Sequence, residues 1–132
     1  MKIILGVRGS GKTTRLIQES SKTGYYIITR NKNSASWIFE QSTKMKLEIP
    51  FPLTYQEFFD KQYYGKRIDG FLIDELESFL MYVSKVPIRT VTLTPTEVLT
   101  LKSSIIDYKE ILKNSTSPEF VKMVTGDWDI EE

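Results

Sequence analysis

Eight residues constrain this chain more than any others. Gly6-Val7-Arg8-Gly9-Ser10-Gly11-Lys12-Thr13 matches G-x-x-x-x-G-K-[ST] at every fixed position. An apolar run, Lys2-Ile3-Ile4-Leu5, leads in, and a helix-like run from Thr14 to Glu19 leads out. A strand, a glycine-rich turn and a helix form the context in which this spacing cradles phosphate. Glycines permit a tight turn that aims several N–H groups at one phosphate chain, and the helix adds the positive end of its dipole. The candidate nucleotide-binding residues are therefore Gly6, Gly9, Ser10, Gly11, Lys12, Thr13 and Thr14. Lys12 is expected to reach the β- and γ-phosphates, and Thr13 to offer its hydroxyl to Mg²⁺.

Composition narrows the chemistry further. Neither His nor Cys occurs in the 132 residues. Disulfides, thiolate metal sites and the commonest general base are thus excluded, and any metal should be a hard cation held by oxygens. With 40% hydrophobic and 27% charged residues the chain reads as one globular domain, 1–132. No apolar run approaches the ~20 residues that cross a bilayer. The N-terminus lacks signal-peptide architecture, and a cytoplasmic setting, the host cytoplasm if the chain is viral, is the expectation. The net charge of +1 is uneven: residues 1–46 hold nine cations against two acids, and the last six residues hold four carboxylates. The basic half could face nucleotide or nucleic-acid phosphates, or be a solvated basic surface.

Along the chain, strands are expected over residues 2–6, 25–29, 71–73 and 88–93, with a short one from Met45 to Ile49. Helices are expected over residues 12–22, stopped by Gly24, then 33–42, 55–59, 76–83 and 96–113, with a last short one starting at Ser117-Pro118. Thr54 and Glu57 have the spacing of a capping box. Strands alternating with helices argue for a parallel sheet covered on both faces.

A second motif completes the first. Gly70-Phe71-Leu72-Ile73-Asp74-Glu75 is an apolar strand ending in two acids. Asp74 is the candidate metal residue beside Thr13, and Glu75 the candidate base for an attacking water. Ligands of open parallel sheets bind beyond the strand C-termini, where both motifs end. The same acids would also suit a helix N-terminus on dipole grounds alone.

Together the two motifs resemble those of the additional-strand, catalytic-glutamate division of P-loop NTPases, which includes RecA-like ATPases, helicases and viral packaging motors. The resemblance implies an α/β three-layer P-loop NTPase fold with a mostly parallel sheet of four to five strands. In that division the fourth strand lies between the first and third, so Thr92 and Thr94 at its end would sit beside the γ-phosphate, with Thr94 as sensor. Thr94-Pro95-Thr96 would equally serve as a helix cap. Tyr26 to Ala35 also resembles motif Ia of superfamily-one DNA helicases, and Leu53-Thr54-Tyr55-Gln56-Glu57-Phe58-Phe59 the next helicase element. That likeness implies single-stranded DNA contacts by Arg30 and Lys32 and a stacking platform at Tyr55, for which core packing is the plain alternative.

Helicases carry a second lobe with an arginine finger, and neither is expected within these 132 residues. Arg8, inside the glycine loop, is similar to the loop arginine of viral DNA-packaging ATPases and terminases, and is the candidate internal finger. Otherwise a homo-oligomer neighbour or a protein partner would supply one. The expectation is a minimal ATPase with ATP and Mg²⁺ as cofactors and DNA as partner, with Lys12, Glu75 and Arg8 as catalytic residues. An ATP-dependent switch or loader for a protein partner is the alternative, and a nucleoside kinase a further one.

Overall fold

The computed structural model describes residues 1–101, whose elements run β1 (Lys2–Leu5), α1 (Lys12–Thr23), β2 (Tyr26–Thr29), α2 (Lys32–Lys44), β3 (Leu53–Thr54), α3 (Tyr55–Phe59), β4 (Phe71–Ile73), α4 (Leu76–Ser84) and β5 (Glu97–Thr100). The chain is mixed α/β and divides into two units, Thr13–Val91 on the one hand and Met1–Lys12 with the chain from Thr92 on the other. Its strands pair as a three-stranded and a two-stranded sheet, both parallel.

In the unit Thr13–Val91 the strand order is β3-β2-β4. β2 pairs Ile28 with Leu53 and Thr29 with Thr54 on one side, and Tyr26 to Ile28 with Phe71 to Ile73 on the other. Successive strand side chains point to opposite faces, yet Ile27 and Ile28 are both fully buried, so the central strand is covered on both faces. Parallel neighbours need crossover connections, and α2 lies in the one between β2 and β3. α1 buries Leu16, Ile17 and Ser20 and ends where Gly24, at φ +77, donates its N–H to the Ser20 carbonyl at 2.8 Å. The buried Ser20 hydroxyl is satisfied by the Tyr25 carbonyl at 2.7 Å. α2 starts at Asn31, whose side chain accepts from the Ser34 N–H, and buries Ala35, Ile38 and Ser42 at helical spacing.

The segment after β3 forms the capping box that its spacing predicts. The Thr54 hydroxyl accepts from the Glu57 N–H at 3.1 Å, and the Glu57 carboxylate accepts from the Thr54 N–H at 2.9 Å. Glu57 is also bonded to Lys32 Nζ at 2.6 Å, which ties α3 to the first turn of α2. Ile28, Leu53 and Tyr55 form a buried cluster covered by Phe58, Phe71, Phe79 and Tyr82. The rings meet edge-on at 5.1 Å for Phe58–Phe71 and 5.2 Å for Tyr55–Phe79, the arrangement favoured by the aromatic quadrupole.

Bonding to Lys32 and to Thr54 holds the Glu57 carboxyl below its ordinary value of 4.5. A carboxyl whose pKa is depressed on folding contributes stability above its unfolded value, and that stability is lost as pH falls through the folded value. Glu57→Gln is therefore expected to be less stable than the parent at pH 7, with the difference closing below pH ~4.5, in urea unfolding measured across that range.

In the other unit, β1 pairs with β5 in parallel, from Lys2 with Glu97 to Leu5 with Thr100. The Thr96 N–H donates to the Met1 carbonyl and the Leu101 N–H to the Leu5 carbonyl, each at 3.0 Å, extending the ladder by one residue at either end. This corrects two expectations. The strand expected over residues 88–93 is absent, and residues 97–100, expected as helix, are strand. Both segments have strand-compatible residues, but Val98 to Thr100 are partly buried against β1, whereas Ile88, Val91 and Leu93 are 47%, 51% and 38% exposed. Pairing with β1 outweighs the helix preference of Glu97 and Leu99, since propensity is a weak prior against tertiary packing.

The strand expected from Met45 to Ile49 is also absent. α2 runs on to Lys44, and the N–H groups of Met45, Lys46 and Leu47 are used by carbonyls of its last turn, so they cannot pair in a sheet. Leu53–Thr54 forms the edge strand instead. The helices expected beyond residue 101, and the acidic C-terminal residues, lie outside the described residues. Among the described residues no helix is long and apolar enough to cross a membrane.

Candidate functional site

The glycine loop folds as a turn between β1 and α1. The Ser10 N–H donates to the Val7 carbonyl at 3.1 Å. Gly9 and Gly11 have φ of +80 and +95, a region that L side chains rarely adopt. Gly6 is constrained differently: a Cβ there would lie 2.2 Å from Ser10 Oγ, so the serine side chain would have to shift. Lys12 is the first residue of α1, and its ammonium donates to the loop carbonyls of Gly6 at 2.6 Å and Val7 at 3.2 Å. These bonds keep the charge beside the loop. Arg8 and Thr14 are exposed.

The acidic half lies in the unit Thr13–Val91. β4 delivers Asp74 directly after its last residue, and the Asp74 N–H continues the ladder to the Ile28 carbonyl at 3.0 Å. The Thr13 hydroxyl donates to Asp74 Oδ1 at 3.4 Å across 61 residues of sequence. A hydroxyl and a carboxylate oxygen at this separation fit a hard divalent cation, which takes oxygen ligands and keeps several waters. No group of three or more acidic residues that could enclose a metal is present among the described residues.

Glu75 follows in an unusual conformation. It caps α4 at φ 61 and ψ 77, the left-handed region, and its side chain makes no capping bond. N-cap residues ordinarily adopt extended backbone, and a non-glycine residue in the left-handed region costs about 1–2 kcal/mol. Its carbonyl accepts from the N–H groups of Ser78 and Phe79 at 3.1 and 3.2 Å.

The residues singled out for nucleic acid divide. Arg30 is exposed and lines an open cleft of about 560 Å³ together with Met81, Tyr82 and Lys85. Lys32 is committed to Glu57. Tyr55 also borders this cleft but is only 2% exposed, its ring packed against Phe79 and Tyr82. Its hydroxyl lies 3.2 Å from the Asp74 carbonyl and 3.4 Å from the Glu75 carbonyl, a contact that no spacing in the sequence announces. Burial, reinforced by the Asp74 charge, pushes the Tyr55 hydroxyl up to about 12, so it remains a donor at any ordinary pH.

Thr94 is exposed and precedes β5, so it does not end a strand as expected, and Thr92 is likewise exposed outside any strand. The residue at the C-terminal end of β5 is Thr100, which the misplaced strand concealed. Compared with protein-family profiles, with curated proteins and with solved structures, the chain finds no match.

Proposed function

We propose that this chain is a minimal Mg²⁺-dependent ATPase that couples ATP binding and hydrolysis to a nucleic-acid transaction, and that its strands belong to one P-loop NTPase sheet of four to five strands. The observation that carries the reading is the Thr13–Asp74 contact, which joins the last residue of the glycine motif to the first acid of the second motif. Further support comes from the parallel β1–β5 pair, since the additional-strand division implies a strand between the first and third, and β5 lies beside the first. The basic balance of residues 1–46 and the exposed Arg30 favour a polyanionic partner.

In this reading the loop N–H groups and Lys12 bind the phosphates of ATP. Thr13 and Asp74 would hold Mg²⁺, whose chemistry there would be countercharge for the phosphates of ATP. Glu75 orients the attacking water and accepts its proton. Arg8 stabilises charge on the γ-phosphoryl group from within the loop, and Thr100 replaces Thr94 as the polar side chain at the end of the strand beside β1.

Phosphate release from ATP and Mg²⁺, measured with and without single- and double-stranded DNA and alongside the mass in solution, tests the proposal. Turnover that rises with DNA is expected. No turnover under any of these conditions overturns it, and tight ATP binding with no turnover redirects the reading to a switch for a protein partner.

A further inference from the structure

Tyr55 and Glu75 are 20 residues apart in sequence and adjacent in space. Around Tyr55 every degree of freedom is restrained. Its backbone follows directly on β3, whose Thr54 is paired with Thr29 of the central strand. The capping box and the Lys32–Glu57 ion pair hold the turn that carries it. Phe79 meets its ring edge-on at 5.2 Å, and Tyr82, itself bonded to Gln56, lies at 5.5 Å. The phenol is thus aimed by rigid surroundings at one target, the backbone of Asp74 and Glu75.

That target is strained. Glu75 is held at φ 61 without a side-chain cap. A residue stays in this region only where its surroundings over-determine it. The Asp74 N–H is bonded to Ile28, and the Glu75 carbonyl to the first turn of α4. The Tyr55 hydroxyl reaches two successive carbonyls of this turn, those of Asp74 and Glu75, at 3.2 and 3.4 Å.

We infer that Tyr55 is a positioning residue that holds the Asp74–Glu75 turn in its left-handed conformation and so sets where the Glu75 carboxylate stands. The inference rests on the ATPase reading for its catalytic consequence, and on the geometry alone for the bracing. It assigns to the aromatic position of the Thr-aromatic turn a role in hydrolysis and not in base stacking.

The test compares Tyr55→Phe with Tyr82→Phe. Both remove one phenolic hydroxyl from the same aromatic cluster, but the Tyr82 hydroxyl bonds to the Gln56 side chain and not to the turn. Tyr55→Phe is expected to lower kcat about 3- to 10-fold, the worth of one hydrogen bond, with KM for ATP and the stoichiometry of bound ATP unchanged. In a Glu75→Gln background it should lower kcat no further. Amide hydrogen exchange over residues 74–79 should quicken in Tyr55→Phe, and Tyr82→Phe should leave both kcat and that exchange at parent values.

Equal effects of the two variants, or a loss confined to KM or to the fraction of chain that binds ATP, overturn the inference. Unchanged exchange over 74–79 in Tyr55→Phe overturns the bracing whatever the turnover. Absence of turnover in the parent chain overturns the ATPase reading, and the exchange comparison then decides the bracing by itself.

Discussion

Replacing Glu75 by Gln is expected to lower ATP turnover by about 10²–10⁴-fold, the range lost with a positioned general base, while ATP still binds. The amide keeps the shape of the carboxylate and loses its capacity to take a proton from water. The fold gives this substitution unusual clarity. Glu75 occupies the N-cap position of α4 but makes no side-chain capping bond, so α4 does not depend on its carboxylate for a cap. Near-equal thermal midpoints of variant and parent are the control that separates a change in turnover from a change in folded fraction. Single-turnover phosphate release, paired with titration of a fluorescent ATP analogue, separates the two steps. Turnover within twofold of the parent would remove Glu75 from the chemistry.

Lys12→Ala should act earlier and more broadly. The ammonium stands beside the loop on two carbonyl bonds, at 2.6 and 3.2 Å, and would give charge-assisted bonds to the phosphates. Such bonds are worth about 1.5–3 kcal/mol each, so ATP affinity is expected to fall roughly 10- to 100-fold and turnover at least as far. Lys12→Arg should not restore either, because the planar guanidinium is larger and has a different donor geometry from a compact point charge. The two substitutions are thereby distinguishable: Glu75→Gln separates binding from turnover, and Lys12→Ala lowers both. Parent-like ATP affinity in Lys12→Ala would mean that the glycine loop does not receive the phosphates.

Much of this architecture is legible from local chemistry. The α1 stop at Gly24, the capping box at Thr54 and Glu57, and the β4 strand ending at Asp74 depend on residues near one another in sequence. Their signals survive because backbone geometry and capping bonds act over a few residues. β5 is different. Residues 88–93 and 97–100 are separated by only a short stretch, and nothing local decides which of them pairs with β1. The choice follows from which segment can bury its apolar side chains there, a property of partners some ninety residues distant in the chain. Thr94 would end a strand only if residues 88–93, and not 97–100, paired with β1.

Tyr55 shows the same limit at the level of a single side chain. A tyrosine in a turn beside Arg30 and Lys32 reads equally as a stacking platform or as core. Burial of its ring among Phe79 and Tyr82, and the reach of its hydroxyl to the Asp74 and Glu75 carbonyls, favour packing.

What the sequence by itself determined is the pair of motifs and the local turns that display them: a glycine loop needs its glycines whatever surrounds it, and two acids after an apolar strand stay at that strand's end. What only the tertiary structure decided is which hydroxyl meets which carboxylate, which segment becomes the partner of β1, and which tyrosine braces the left-handed turn at Glu75. Those are contacts between residues remote in sequence, and long-range packing selects among several locally acceptable alternatives.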